Sequence, residues 1–321
     1  MKCVVIGGSG QDGVLLSAQL LAEGHEVITV ARSPSPLSDV RHVTLDVRAH
    51  DALASLIMNL RPDELYYLAA RHASSEALER PFASELTESV AVNAISFALL
   101  LEAIAARTPH TRTVYASSCR VFGRGEGQQM NETSPRIPWC PYGISKAAGM
   151  SAGENYRRAY DLFVTNAILF NHESELRGPT FIVKKLAMAA IAARADPRSR
   201  VAVNAPDDAT DWGGARDYVR AMRMMLRAGK PDDFVVATGT SHTVRELAAE
   251  CFTALGLNWA QHVDLPHSSP RQPRSMAGDA TKLRQATGWT PTLRFDELVK
   301  DIIIRIQRYG SERPADFHSY L

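Results

Sequence analysis

The sequence predicts an α/β protein, a Rossmann-like doubly wound parallel sheet with a smaller, interleaved α/β lobe. Three observations lead there. Short apolar strand patterns alternate with helical patterns through the first half of the chain, as in parallel strands buried on both faces. A glycine-rich turn, G7-G-S-G-Q-D-G13, follows the first strand at once and opens an amphipathic helix. Past residue 170 the alternation gives way to turns at Gly178-Pro179, Asp196-Pro197, Ala205-Pro206 and Gly213-Gly214, which suits a lobe that leaves the main sheet and returns to it.

The elements follow in order. K2-C-V-V-I6 is a short buried strand, and residues 11 to 23 carry helical spacing through Leu15, Leu16, Leu20 and Leu21. Strands are expected at 26–30, 42–45, 65–68 and 112–116, with helices near 50–59 and 86–107. Right-handed crossovers wind these into one sheet with helices on both faces. The cofactor-binding unit is expected over 1–168 with returns near 211–240, and the substrate lobe over 169–210 and 241–321.

Bulk properties narrow the partners. The chain has 321 residues and a net charge of +1 with charges well mixed, so no broad basic face for nucleic acid is expected. Cys3, Cys119, Cys140 and Cys251 show neither CxxC pairing nor metal-ligand spacing, and read as free thiols in a reducing cytoplasm. No metal site is expected. No uninterrupted apolar run reaches the ~20 residues of a membrane span, and the first apolar stretch is a strand and not a signal peptide.

Gly7, Gly10 and Gly13 permit a tight turn and let backbone N–H groups approach a pyrophosphate at a helix N-terminus, with Gln11 and Asp12 in the same loop. After the second strand, T29-V-A-R-S33 offers Arg32 and Ser33 where an acid would select NAD, so NADP is preferred and NAD is the alternative. Asp46 is a candidate to bond the adenine, and Leu68, Ala69 and Ala70 would line the cofactor.

P141-Y-G-I-S-K146 places Tyr142 and Lys146 on one helical face, where a lysine ammonium is expected to lower the phenol pKa. Such a tyrosine can exchange a proton with a sugar hydroxyl while hydride moves to nicotinamide. Ser118, after the strand at 112–116, completes the set by hydrogen-bonding the same oxygen.

With these in place the chain resembles the extended short-chain dehydrogenase/reductase superfamily and, within it, is most similar to the GDP-mannose 4,6-dehydratase family. The resemblance rests on G10-Q-D-G13, P141-Y-G-I-S-K146, L169-F-N-H-E-S174 with Arg177-Gly178, D211-W-G213, D233-F-V-V-A-T-G239 and H242-T-V-R-E246. It implies an NADP-dependent enzyme acting on a nucleotide-diphosphate sugar, GDP-linked by preference. It further implies that Asn171 contacts the sugar diphosphate and that Lys185 faces the nucleotide. The arginine-rich loop containing Arg271 offers charge that a diphosphate needs. Helices near 86–107 and 142–160 resemble those that pair subunits in the superfamily, so a homodimer or homotetramer is expected.

The pattern breaks at position 120. The dehydratases carry Thr-Ser-Glu where this chain has Ser118-Cys119-Arg120. In their mechanism C4 is oxidised, then the carboxylate removes the C5 proton and assists departure of the C6 hydroxyl. Arginine stays protonated and cannot be that base. The sequence therefore favours a 4-epimerase acting through transient C4 oxidation, with Arg120 contacting the substrate. The alternatives are a 4,6-dehydratase with a relocated acid, such as Glu132 or Glu173, and an NADPH-dependent 4-keto-sugar reductase. A redox-inactive NADP-binding sensor is disfavoured because Ser118, Tyr142 and Lys146 are all retained. Thr210 replaces the arginine before D-W-G, and Trp139-Cys140 replace Arg-Ser before P-Y-G, which alters the mouth of the sugar pocket.

Overall fold

The computed structural model describes residues 1–72, 81–265, 274–310 and 312–321. Seven parallel strands form the main sheet, in the order Asp233–Val236, Val164–Leu169, Arg112–Ala116, Glu64–Tyr67, Lys2–Ile6, Glu26–Ala31, Arg41–Thr44. The chain starts in the middle of this sheet, runs outward to Arg41–Thr44 and then crosses back to Glu64–Tyr67. That reversal opens a crevice beyond the carboxyl ends of Lys2–Ile6 and Glu64–Tyr67, the usual ligand position in such a sheet. All the strands but the edge strand Arg41–Thr44 are buried over nearly their whole length, Val4, Val5, Ile6, Leu65, Val114 and Ile168 being inaccessible.

A second sheet forms the floor of the other lobe. It runs Ser241–Thr243, Ala209–Gly214, Ser275–Gly278, Glu126–Met130, and Asn171–Glu173 pairs with the far end of Ala209–Gly214. Asp211, the acid of D-W-G, is wholly buried. It accepts bonds from the Thr238 amide and hydroxyl at 2.9 and 2.7 Å and from the Gly239 amide at 2.8 Å. Its role is to tie the lobe to the end of the main sheet. Trp212 begins the smaller core, with Val183, Leu186, Leu247, Phe252, Leu298 and Ile302.

Five helices of the second half are not legible in the sequence: Ile182–Ala195, Ala215–Leu226, Val244–Thr253, Thr281–Thr287 and Phe295–Tyr309. Ala215–Leu226 packs on the first helix and joins the main core. The C-terminal residues do the same, Tyr320 being buried with the main core.

The helical stretch 82–107 is interrupted by a π-turn at Ala91–Ile95. It is long and apolar enough to cross a membrane by composition, although polar residues interrupt its apolar run. Here Phe97, Leu100, Leu101 and Ile104 pack into the main core, as in a core helix.

Candidate active site

The crevice is a cleft of about 910 Å³ between the two lobes. Its cofactor end is built by backbone close approach. A Cβ on Gly13 would lie 2.3 Å from the Gly7 carbonyl oxygen, and Gly7 itself has φ +92 with the Ala69 amide nitrogen 2.7 Å from where a Cβ would be. These positions accept only glycine, so the chain leaves a bare backbone cradle for a pyrophosphate. Arg32, Ser33, Asp46, Leu68, Ala69 and Ala70 line the same end. Arg48 also lines it and was missed; it grips Asp46 at 2.7 Å, and this bond holds the Asp46 carboxyl down at about 2. The residues present fit a dinucleotide.

Gln11 and Asp12 line the cleft but have structural partners. Gln11 donates to the His172 carbonyl at 3.2 Å and accepts from the Ser174 hydroxyl at 2.9 Å. Asp12 pairs with the His172 Nε2 at 2.9 Å. These bonds fasten the glycine turn to the N-H-E-S segment. Burial works against the Asp12 carboxylate, but the His172 partnership outweighs it and holds the acid down at about 2.

The reaction end is set by one helix and one turn. Pro141–Tyr160 starts with proline at its first position and with the Cys140 Sγ accepting from the Gly143 amide, both favourable at a helix start. A Cβ on Gly143 would sit 2.6 Å from the Arg120 carbonyl oxygen, so this glycine lets the 119–122 turn close onto the helix. Ser118, Arg120, Tyr142 and Lys146 thereby meet in the cleft. Burial raises the Tyr142 phenol pKa, and the nearby Ser118 hydroxyl works in the lowering direction. Lys146 is buried and donates to the Ala116 carbonyl at 2.6 Å.

The expected lowering of the Tyr142 phenol by Lys146 is not what the surroundings produce. Burial raises it, and Arg177 is the cation that opposes this most. Lys146 is itself pushed down to about 7 by burial, with Asp12 opposing. Arg177, which follows the N-H-E-S segment, is therefore part of the reaction end. It lies over the Phe181 ring at 3.8 Å, and its Nε is 3.5 Å from Glu173.

Asn171 lines the cleft beside the Cys119 Sγ. Lys185 does not line it: its ammonium bonds the Ala202 carbonyl at 2.9 Å. The neighbouring Lys184 is buried and bonds the Glu175 carbonyl, and it does not line the cleft either. Arg271 lies outside the described residues. Of the two candidate acids, Glu173 is buried against the cleft, whereas Glu132 lies outside it and accepts from the Val235 amide at 2.7 Å. Trp139 stands at the mouth between the guanidinium groups of Arg124 and Arg274, at 4.9 and 4.7 Å.

Two residues escaped the sequence reading. Asn93, fully buried in the π-turn, accepts from the Arg71 amide at 2.9 Å and donates to the Ser145 hydroxyl at 2.9 Å. It joins the 68–72 segment to the catalytic helix; π-turns often sit at such places. His72 has its ring centroid 4.4 Å from that of Tyr142. No spacing rule singles out either one.

A glycine cradle on a doubly wound sheet with Ser118, Tyr142 and Lys146 opposite it defines an enzyme of the extended short-chain dehydrogenase/reductase class. The chain belongs to the GDP-mannose 4,6 dehydratase family, whose sequence model matches residues 4–302. GDP-mannose 4,6 dehydratase 2 of Arabidopsis thaliana is 36% identical over 94% of this chain and 85% of its own. The Homo sapiens GDP-mannose 4,6 dehydratase is 30% identical, over 94% and 90%. Among solved structures, Bacillus anthracis dTDP-glucose 4,6-dehydratase in complex with NAD superposes with TM-score 0.84 at 18% identity, covering 99% of each chain. Thermus thermophilus UDP-glucose 4-epimerase with NAD gives 0.80 at 23%, covering 97% of this chain and 100% of its own.

Proposed function

We propose that the chain oxidises C4 of a nucleotide-diphosphate sugar, GDP-linked by preference, and carries the product on to loss of water at C6. This is a GDP-mannose-type 4,6-dehydratase whose acid–base group no longer stands at position 120. The relatives' names support dehydration over the epimerisation expected from the sequence alone. The observation that carries the oxidising half is the meeting of Ser118, Tyr142 and Lys146 in one cleft with the glycine cradle.

A bound NAD(P) would supply the hydride acceptor. Tyr142 takes the C4 hydroxyl proton at its Oη, and the Ser118 hydroxyl holds the same oxygen in line. Lys146, fixed by the Ala116 carbonyl, favours the phenolate when it carries its proton. Asn171 and Arg177 offer donors to the diphosphate and sugar. Arg32 and Ser33, with Arg48 beside them, support NADP over NAD.

Epimerisation at C4 is the second reading, and Arg120 favours it. Its guanidinium lines the cleft and has no acid partner among the described residues. Incubation with GDP-mannose and a panel of UDP-, ADP- and CDP-sugars separates the two. A product lighter by one water supports dehydration; a product of unchanged mass and shifted retention overturns it in favour of epimerisation.

The exposed apolar side chains Phe82, Ile95, Leu99 and Tyr160, on the contacting helical segments 82–107 and 141–160, support a homodimer through this face. Light scattering on the purified protein tests it. The free thiols of all four cysteines support a reducing, cytoplasmic location.

A further inference from the structure

Replacing the family's carboxylate by Arg120 removes the group that should take the C5 proton, and dehydration then needs another acceptor within reach of the sugar. Glu173 is a weak candidate on geometry. It is buried, faces Arg177 at 3.5 Å, and its electrostatic neighbours are Arg177, His172 and Asp12, which places it toward the glycine turn.

We propose that His72 is the relocated acid–base residue, the group that removes the C5 proton and returns it to the departing C6 hydroxyl. The inference rests on the dehydratase reading above. His72 is exposed, and what it is exposed to is the cleft, which it lines. Its ring lies 4.4 Å from that of Tyr142 and 5.5 Å from that of Phe181, centroid to centroid. Among the described residues neither ring nitrogen is engaged in a hydrogen bond. The backbone before it is fixed, with the Arg71 amide on the Asn93 side chain at 2.9 Å and the Arg71 guanidinium on Glu85 and Glu88 at 3.1 Å each. A fixed backbone and a free imidazole suit a group that must reach substrate.

The charges around it keep it in the accepting form. Desolvation by the cleft walls lowers its pKa, and Arg177, Arg120, Lys146 and His172 lower it further. An entering diphosphate offsets those cations and raises its basicity. Arg120 on this account keeps the imidazole neutral and binds the substrate.

The step balances without an added reagent. With C4 already a ketone, an imidazole nitrogen takes the C5 proton, and the C5–H electron pair becomes the C5–C6 double bond as the C6–O bond breaks. The imidazolium gives the same proton to the leaving hydroxide, so water departs and His72 is neutral again.

The test uses the full-length protein, GDP-mannose and three variants, with cofactor binding as the check on folding. H72F keeps a ring against Tyr142 but has no proton acceptor; H72Q keeps polarity without a base. Both are expected to lose water formation by about 10²- to 10⁴-fold, the usual contribution of an acid–base group. Both should still form reduced nicotinamide in a single turnover, because C4 oxidation is left to Tyr142. H72Q/R120E, which restores the family's carboxylate, is expected to regain dehydration. Dehydration by H72F within about threefold of the unaltered protein would reduce His72 to a packing role and overturn the inference. If the unaltered protein forms no dehydrated product from any sugar nucleotide, the dehydratase reading fails first and this inference with it.

Discussion

Lys146 lies one helical turn beyond Tyr142, with its ammonium 5.6 Å from the centroid of that ring and 2.6 Å from the Ala116 carbonyl oxygen. The amine is thus held by the end of a sheet strand and presented to the underside of the phenol. Its charge is costly where it sits, which is why burial pushes its pKa to about 7.

A lysine that titrates near 7 in the folded chain and at 10.5 in its ordinary state binds more protons when unfolded throughout that interval. Stability therefore rises with pH between about 7 and 10.5 from this group. K146M should flatten that rise in urea midpoints measured across the range. It should also reduce C4 oxidation by about 10²-fold or more, read as reduced nicotinamide in a single turnover.

Asp12 and His172 titrate in opposite senses. The acid is held at about 2, below its ordinary 3.8, so its contribution is present above 3.8 and lost as pH falls through 2. Burial lowers the His172 imidazole, but Asp12 outweighs that and leaves it raised above 6.5. The histidine contribution is therefore complete below 6.5 and lost as pH climbs through the raised value. D12N should remove both limbs and cost about 1–3 kcal/mol near neutral pH, measured by denaturant unfolding, since it leaves a buried imidazole with a poorer partner.

Position 13 has no room for a side chain, a Cβ there meeting the Gly7 carbonyl at 2.3 Å. G13A should weaken dinucleotide binding at least about tenfold by distorting the cradle. Titration of NADPH fluorescence reads this directly; unchanged affinity would show that the cradle is not the pyrophosphate site.

Arg32 and Arg48 flank Asp46 at the adenosine end. R32D should weaken NADPH binding by about 10- to 100-fold, the effect of losing one charge-assisted phosphate contact and gaining a repulsion. NADH affinity should change by much less. Equal losses for both cofactors would contradict the NADP preference.

The main sheet, its glycine turn and the Tyr142–Lys146 face were legible because each obeys a local rule of spacing: alternation, glycine at fixed intervals, i and i+4 on one helix. Helices such as Ala215–Leu226 were not, since A-R-D-Y-V-R-A-M-R-M-M-L carries arginines that lie half-buried along its packed face, and Arg223 is buried outright. Lys185 lies off the cleft because its direction is set by how Ile182–Ala195 packs into the smaller core, which no spacing rule fixes. Asn93 and His72 act through contacts with residues 52 and 70 positions away, and such meetings are created by the fold. Arg120 lay between these cases: the sequence showed that the family's acid was gone, but only the cleft shows which neutral group stands beside the phenol.

The most direct test of the account follows a label from C4. GDP-mannose deuterated at C4 would be incubated with the protein and its bound NAD(P), and the product examined by mass and by NMR. A 4,6-dehydratase predicts a product lighter by one water, with the deuterium now on C6. Deuterium retained at C4 of a product of unchanged mass and inverted C4 configuration would contradict it, and would make Arg120 the mark of an epimerase.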